Sequence, residues 1–314
     1  MTYKLFLNLS GVILAFITLK FCCPKDNNLE IFAFNDIKEF RLQNQDSLHT
    51  IVVNRDITVD NYFQYLDSLV KAYNAFMPYK LSEHLLVRHN PWIIDTLQNT
   101  DYYRNIAKDS FVYNQKKMIA LPKGNVIGIP NVLQVNKLSS AFKKTRLDIN
   151  IPEYKLRIFQ DSILLHEFSV RVGRDEKKYL KMAGREQDLR TKTGKGIIVG
   201  HVKNPDYYNP VDGRQYHVTR RDDEKITKLP QIPFIETEIN GVRNGQLIHP
   251  TTNQNTLGKA YSNGCIGTKE ADAWVIYYYT PIGTKINIRY DLNVVDAFGD
   301  SNNLQDVYKY KQRD

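Results

Sequence analysis

The first third of the chain carries apolar residues at the intervals of an amphipathic helix. Over residues 59–76 they fall at Tyr62, Phe63, Tyr65, Leu66, Leu69, Val70 and Tyr73. A second helix is predicted over residues 82–89, with Ser82 as its N-cap. Pro91 should interrupt this helix, because proline lacks a backbone N–H and clashes with the preceding turn. The pattern therefore predicts two helices before residue 92.

The pattern becomes mixed between these helices and residue 146. Residues 101–107 are predicted to be helical, and residues 118–130 to form two short strands around a turn at 123–125. His84 and His89 are interpreted as surface or capping histidines rather than ligands. We expect residues 24–146, which begin with a polar linker, to form a small accessory α+β unit, largely helical.

From residue 147 onward the alternation is that of β-strands. Strands are predicted over residues 146–151, 155–159, 163–172, 197–201, 233–239, 245–249 and 285–290. One helix, residues 269–279, is predicted after an N-cap at Thr268, with Glu270 and Asp272 favoured by its dipole. This pattern predicts an α+β fold in which residues 147–290 form a mostly-β domain.

Two polar stretches accompany this domain. Residues 204–228 are charged and rich in tyrosine, which is typical of a long surface excursion and, in some proteins, of a functional lid. Residues 291–314 contain few large aliphatic side chains, so we expect a polar C-terminal tail that is only partly ordered.

The N-terminal residues 1–23 have the pattern of an export segment. Lys4 precedes a mostly apolar run over residues 5–19, whose length suits a signal peptide or a short membrane anchor. Cys22 is a candidate site for lipidation, although Lys20 and Phe21 occupy positions where small residues normally precede a lipidated cysteine. Three alternatives remain open: a cleaved signal, a signal anchor and a lipoprotein. Each places the remaining chain on the periplasmic side of the cell envelope.

The net charge of the chain excludes few classes of binding partner. The 314 residues carry a formal net charge of +9, and the Lys and Arg residues are scattered rather than grouped. A generally basic surface and attraction to an anionic cell-wall polymer both fit this distribution. The sequence contains no zinc-ligand spacing and no nucleic-acid motif, and Gly194-Lys195-Gly196 lacks the spacing of a phosphate loop, so we expect no metal, cofactor or nucleic-acid partner.

One cysteine, Cys265, remains beyond the N-terminal segment. A lone cysteine is often a small buried hydrophobe, but this one follows a histidine, His249, across a glycine-bearing loop. A thiol becomes a strong nucleophile as the thiolate, and histidine is its natural base. Gly264 allows close approach of the backbone, and the N–H groups of Gly264 and Cys265 are candidate oxyanion donors. The helix predicted after Cys265 should favour a thiolate through its dipole.

The segment around these two residues resembles the active-site motif of L,D-transpeptidases with a YkuD-type domain. In that family a histidine leads through a glycine-containing loop to Ser-x-Gly-Cys-Ile/Val, usually followed by Arg or Asn. The matching residues are His249, Gly258, Ser262, Gly264, Cys265 and Ile266. The resemblance extends to the strand ending at Val172-Gly173, to the turn at residues 191–194 and to the closing helix and strand. It covers residues 147–290.

Three positions depart from that motif or vary within it. Pro250 replaces the usual Gly or Ser after the histidine, but it keeps the carbonyl that orients the imidazole in the family. Gly267 replaces the usual Arg or Asn, which puts substrate detail in doubt. Asn263 occupies the variable position of the motif, where some members carry a second histidine.

The resemblance implies two-step acyl transfer on peptidoglycan stem peptides. Cys265 would form a thioester with the third-position diamino acid, D-Ala would leave, protonated by His249, and an amine would accept the acyl group. Ser262, Asn263 and Tyr261 would support the loop or substrate. Alternatives are an L,D-carboxypeptidase, another envelope cysteine amidase and a non-catalytic wall-binding protein on the same fold.

Several further residues are weaker candidates for the cleft. Tyr207, Tyr208 and Tyr216 either line the cleft or are sheet-surface aromatics. Arg185 and Arg190 either meet stem carboxylates or carry solvated surface charge.

Overall fold

The computed structural model describes residues 50–295 and 299–312 of the chain. The predicted export segment at residues 1–23, with Cys22, lies outside the described residues. Within the described ranges, no helix is long and apolar enough to cross a bilayer.

The region before residue 146 is mixed and mostly helical, as predicted. Its helices are α1 (Val59–Asn74), α2 (Glu83–His89), α3 (Trp92–Gln98), α4 (Tyr102–Ile106) and α5 (Val132–Lys144). Ser82 caps α2 by accepting a hydrogen bond from the Leu85 N–H, and Pro91 separates α2 from α3. The sequence pattern missed α5, although Asn131 and Gln134 form a capping box at its start, a recognisable signal.

The same region contains four short strands, β1 (Thr50–Val52), β2 (Ile57–Thr58), β3 (Ile119–Leu121) and β4 (Val126–Gly128). The two strands predicted over residues 118–130 are present, but they do not pair with each other. Instead β4 pairs with β1 and β3 pairs with β2, so two separate antiparallel ribbons flank the turn.

An eight-stranded mixed sheet forms the second half of the chain, in the order β19-β17-β16-β11-β20-β5-β6-β7. Its strands are β5 (Thr145–Asn150), β6 (Lys155–Gln160), β7 (Ile163–Ser169), β11 (Gly194–Val202), β16 (Phe234–Ile239), β17 (Leu247–Pro250), β19 (Ile266–Thr268) and β20 (Lys285–Arg289). The β17–β19 and β20–β5 pairs are parallel, and the other pairs are antiparallel. The predicted α+β, mostly-β class is confirmed.

Short strands decorate this sheet: β8 (Val172–Gly173), β9 (Lys177–Leu180), β10 (Arg185–Asp188), β12 (Tyr207–Tyr208), β13 (Gln215–Tyr216), β14 (Val218–Arg220), β15 (Ile226–Lys228), β18 (Ala260–Ser262), β21 (Asn293–Val295) and β22 (Ser301–Asn303). The pair β8–β18 is parallel and lies beside the loop that carries Cys265.

The helix α6 (Glu270–Tyr279) is buried around most of its circumference, with Trp274, Tyr277 and Tyr278 fully enclosed. Its aromatic side chains pack on α1: the rings of Phe63 and Trp274 lie 5.9 Å apart, and the hydroxyls of Tyr62 and Tyr278 are hydrogen-bonded at 2.6 Å. The helical region and the sheet therefore share one apolar core. The boundary between residues 146 and 147 stays a prediction.

Two expectations, about Thr268 and His84, are wrong. Thr268 does not cap α6, because it belongs to β19 and Lys269 is the N-cap. The Ala271 N–H of the first turn instead donates to the Asp101 carboxylate at 2.8 Å. His84 is not a surface histidine: its ring stacks on His201 at 5.1 Å, and its Nε2 lies 3.0 Å from the Tyr277 carbonyl oxygen.

The polar C-terminal tail contacts the rest of the domain in the parts that the structure describes. Over residues 291–295 and 299–312 it folds back on the domain, and Tyr308 is fully buried. The tail has few large aliphatic residues, and tyrosines supply much of its packing: the rings of Tyr290 and Tyr308 stack at 5.3 Å, and the Tyr290 hydroxyl donates to Asp306 at 2.7 Å. Aromatic burial thus supplies the apolar contacts that the composition seemed to lack.

The excursion at residues 204–228 forms two hairpins, β12–β13 and β14–β15. Arg221 fastens it to the domain: the guanidinium is completely buried and forms an ion pair with Glu270 of α6. Arg221 also donates to Thr227 and Gln115. A segment held by a buried ion pair does not have the freedom of an open lid.

Candidate active site

The candidate nucleophile Cys265 lies in a tight loop between β18 and β19. Its thiol is free and half-buried. The preceding Gly264 has φ +110°, a backbone conformation that residues with a Cβ rarely adopt, so the loop depends on glycine there.

Ser262 closes this loop from inside. It is buried, its hydroxyl donates to the Cys265 carbonyl oxygen at 2.5 Å, and it accepts a hydrogen bond from the Gly264 N–H at 3.2 Å. Ser262 therefore holds the backbone on both sides of the loop. The Gly264 N–H, one of the two predicted oxyanion donors, is engaged with this hydroxyl in the free protein.

Thr191 connects the loop to an earlier part of the chain. Its hydroxyl donates to the Gly264 carbonyl oxygen at 3.0 Å and accepts the Gly173 N–H at 2.8 Å. A Cβ on Gly173 would lie 2.0 Å from the Leu189 carbonyl oxygen, so only glycine fits at that close approach. The segments at 168–173 and 191–194, which resembled family motifs, thus meet at the back of the nucleophile loop.

The candidate base His249 lies in β17 and is half-buried. Its Nδ1 lies 3.0 Å from the carbonyl oxygen of Pro250, and its ring lies 4.9 Å from that of Phe234. Because a carbonyl oxygen only accepts hydrogen bonds, this contact places the hydrogen on Nδ1. The neutral ring then keeps its lone pair on Nε2, which leaves Nε2 able to take a proton.

The parallel pairing of β17 with β19 brings the two candidates together. Ile248 is in register with Ile266, and His249 with Gly267. Cys265 comes directly before β19, two residues ahead of Gly267, so the pairing brings the Cys265 loop close to His249. His249 and Cys265 are sixteen positions apart in the sequence, and the strand pairing of the folded sheet brings their segments together.

Burial sets the protonation of both groups. It raises the pKa of the Cys265 thiol, against the lowering effects of the Leu247 backbone hydrogen bond and of Arg171. It also lowers the pKa of His249 to about 4, with Arg171 lowering it further and the Pro250 hydrogen bond opposing the shift. At neutral pH the resting site therefore holds a neutral thiol and a neutral imidazole.

The helix dipole does not act on Cys265 in the way that the sequence suggested. Strand β19 separates Cys265 from α6, and Asp101 meets the first turn of that helix. The positive end of the dipole is therefore satisfied by a carboxylate from the helical region. This arrangement agrees with a thiol that is not ionised at rest.

The remaining predicted residues lie at different distances from this centre. Tyr261 is exposed at the rim, and the Arg174 guanidinium lies over its ring. Asn263 accepts a hydrogen bond from Arg174 at 2.8 Å, so it is turned towards that arginine. Both therefore border the loop rather than touch the His249 ring.

The candidate tyrosines and arginines of the cleft also differ in their positions relative to His249. Tyr207 packs on Phe234 at 5.3 Å and so stands behind His249, whereas Tyr208 and Tyr216 are exposed. Arg185 is exposed, and Arg190 is held by a bidentate pair with Asp188. Within the described ranges, no cluster of His, Cys, Asp and Glu side chains is arranged to hold a metal.

The sequence analysis missed Arg171, a charged residue that acts on both the candidate nucleophile and the candidate base. Its charge lowers the pKa of both Cys265 and His249. It was interpreted only as part of a strand motif at residues 168–173. The available signal was Gly267, where the family usually has a larger side chain and this chain leaves a space.

In this mostly-β domain His249 lies on β17, beside β19, and Cys265 lies in the loop that leads into β19. This arrangement is that of a candidate cysteine acyltransferase. Residues 144–288 match the model of the YkuD family, the L,D-transpeptidase catalytic domain. A comparison with curated proteins gave no match.

Solved structures similar to this chain include several L,D-transpeptidases. One from Mycobacterium smegmatis is 13% identical, with 46% of this chain and 58% of that chain covered and a TM-score of 0.33. L,D-transpeptidase 3 from Mycobacterium tuberculosis, in complex with a faropenem-derived adduct, is 16% identical, with 46% and 60% covered and a TM-score of 0.33. One from Xylanimonas cellulosilytica is 12% identical, with 76% and 97% covered and a TM-score of 0.34. The chain thus spans about 60% of the two mycobacterial proteins.

Proposed function

We propose that this protein is a peptidoglycan L,D-transpeptidase of the cell envelope that acts through a Cys265 thioester. The family match over residues 144–288 supports the reaction class. The observation that supports the assignment of residues is the register of β17 and β19, in which His249 pairs with Gly267, two residues after Cys265.

The first half-reaction forms the thioester. The Cys265 thiol gives its proton to His249 Nε2 as the sulfur bonds to the carbonyl carbon between the third-position diamino acid and D-Ala. The C–N bond to D-Ala then breaks, and the imidazolium returns the proton to the leaving amine. Free D-Ala and an acyl-enzyme result.

The second half-reaction transfers the acyl group. An amine of a neighbouring stem attacks the thioester carbonyl, its proton passes to His249, and the thiol is regenerated with that proton. The product is a new amide cross-link. Water in place of the amine would give a shortened stem and make the same site a carboxypeptidase.

The protonation states favour a particular course for the first step. Burial holds the Cys265 thiol and the His249 imidazole neutral, so the thiolate forms by proton transfer during attack rather than as a standing ion pair. The Pro250 carbonyl supports this course, because it keeps the proton of the neutral ring on Nδ1. Pro250 thus serves as the His-orienting carbonyl despite the departure from the family pattern.

Backbone N–H groups of Gly264 and Cys265 are the proposed oxyanion donors. In the free protein the Gly264 N–H is bonded to Ser262 at the long distance of 3.2 Å. A developing oxyanion is a stronger acceptor than a hydroxyl, so it would draw this donor away as the tetrahedral intermediate forms. Ser262 keeps its bond to the Cys265 carbonyl and continues to hold the loop.

Product analysis of the purified full chain tests the proposal. With disaccharide tetrapeptide, the wild type should release D-Ala and yield a cross-linked dimer by mass spectrometry, and Cys265→Ala should yield neither. A tripeptide product without dimer would identify a carboxypeptidase. A wild type that is inert and is not acylated by a carbapenem, yet binds sacculi as well as Cys265→Ala does, would identify a wall-binding protein.

A further inference from the structure

Arg171, Gly267 and His249 form one row across three neighbouring segments. Arg171 and Gly267 exchange two backbone hydrogen bonds, at 2.9 and 3.0 Å, and Gly267 is in register with His249 on its other side. Side chains in register on neighbouring strands project from the same face of a sheet. Arg171 therefore faces the same side as His249, with one glycine between.

The side chain of Arg171 occupies the space above that glycine. A Cβ built on Gly267 would lie 2.5 Å from Arg171 Nε, 2.6 Å from its Cγ and 2.9 Å from its Cδ. These are distances that real Cβ atoms do not tolerate, so a side chain at 267 would displace the arginine. The departure at Gly267 and the position of Arg171 are thus one structural feature: the glycine gives the guanidinium a path across the sheet.

The Arg171 guanidinium has donors to spare. Nη1 makes a long hydrogen bond to the Thr256 hydroxyl at 3.3 Å, and Nε is buried without a partner. No carboxylate of the described residues 50–295 and 299–312 forms an ion pair with it. Arg171 is half-buried with its Nε enclosed, and a partly desolvated cation without an anion is costly. The neighbouring thiol is neutral at rest. The arrangement therefore lacks an anion, which a ligand could supply.

We propose that Arg171 binds the C-terminal carboxylate of the acyl-donor stem, and so selects donors whose leaving residue is a free amino acid. This inference rests on the proposed function. In a tetrapeptide donor that carboxylate is separated from the scissile carbonyl carbon by only the leaving nitrogen and one Cα. A planar guanidinium beside the nucleophile is suited to meet it with two parallel hydrogen bonds.

Binding to the Cys265→Ala protein tests this without turnover. NMR titrations would compare a stem tetrapeptide that ends in D-alanine with the same peptide ending in D-alaninamide. We expect the acid to bind about 10- to 100-fold more tightly, which is the range for a charge-assisted hydrogen bond. Arg171→Met in this background should remove the preference for the acid and leave affinity for the amide nearly unchanged.

Two more variants guard against a fold defect. Gly267→Ala, which retains every ionisable group, should also remove the preference by displacing the guanidinium, and should add little once Arg171→Met is present. Arg185→Met, which removes an exposed arginine on β10, should retain the full preference.

The outcomes separate the two proposals. Equal affinity for acid and amide in the Cys265→Ala protein, or a preference that survives Arg171→Met, would overturn the assignment of Arg171. Loss of affinity for both peptides alike would also overturn it, because Arg171 would then act on the peptide backbone or the loop. The proposed function fails separately, when wild-type protein neither releases D-Ala nor becomes acylated.

Discussion

The hydroxyl of Tyr308 is bonded to both Gly173 and Thr191, which lie directly behind the nucleophile loop. It donates to the Gly173 carbonyl oxygen at 2.8 Å and accepts the Thr191 N–H at 3.0 Å. Thr191 in turn donates to the Gly264 carbonyl, next to Cys265. The C-terminal tail is therefore part of the support of the candidate active site.

Tyr308→Phe should weaken both the fold and the site. The change leaves a buried carbonyl and a buried N–H without their partner, which costs about 1–3 kcal/mol in the free energy of unfolding. Because Thr191 also holds Gly264, we expect acylation of Cys265 by a carbapenem to slow by about tenfold. Denaturant unfolding and stopped-flow acylation measure the two effects. Tyr179→Phe, at an exposed tyrosine, should change neither, and an unaffected acylation rate in Tyr308→Phe would contradict the proposed support.

The pH dependence of acylation should follow the lowered pKa of His249. Protonation of His249 removes the base, and its pKa is about 4, so the acylation rate should hold from pH 8 to about pH 5 and fall below that. Alkylation by iodoacetamide, which needs the thiolate, should rise only at alkaline pH because burial raises the pKa of Cys265. An inflection of the acylation rate near pH 6.5 would show instead an imidazole at its ordinary pKa.

Stability should fall on mild acidification because of the stacked pair His84 and His201. Burial lowers their pKa values to about 4 and about 3, whereas the unfolded chain takes up these protons near pH 6.5. Between these values the unfolded state binds more protons, so stability is lost as the pH falls. Each such histidine contributes a loss of about 2 kcal/mol between pH 7 and pH 5.

His84→Gln tests this linkage. Its free energy of unfolding, measured in denaturant at pH 7 and pH 5, should fall by about 2 kcal/mol less than that of the wild type over the same interval. The exposed His217→Gln should behave as the wild type does. Identical pH dependence in His84→Gln and wild type would refute the contribution of the pair.

The buried ion pair of Arg221 with Glu270 predicts how firmly the excursion is held. Arg221→Met leaves Glu270 uncompensated in the core, and we expect a loss of about 3–5 kcal/mol. Adding Glu270→Gln, which removes the unpaired charge, should recover part of that loss. The adjacent Arg220 pairs with Glu224 at the surface, so Arg220→Met should cost less than about 1 kcal/mol. Thermal and denaturant unfolding would measure all three, and equal losses for Arg220 and Arg221 would argue against the anchor.

Much of the local structure was predictable, because periodicity and capping act within a few residues of chain. The helix α1 follows from its apolar spacing, and Ser82 with Pro91 set the limits of α2. The prediction failed where a partner came from far away. Thr268 has a side chain that could cap a helix, but it belongs to β19 and pairs with β17. The Asp101 carboxylate accepts a hydrogen bond from the first turn of α6 instead. The contacts of Tyr308 with Gly173 and Thr191 likewise join residues that are far apart in the sequence.

The sequence by itself determined the fold class, the resemblance of residues 147–290 to L,D-transpeptidases and the types of residue that can act as nucleophile and base. Tertiary structure decided which charges those groups carry and what surrounds them. Burial, which no local pattern reports, holds Cys265 and His249 neutral, and strand register alone lets Arg171 lie across Gly267. The physical reason is that the sequence fixes the identity of each side chain, whereas the desolvation and electrostatic coupling that shift its pKa depend on distances that exist only in the folded protein.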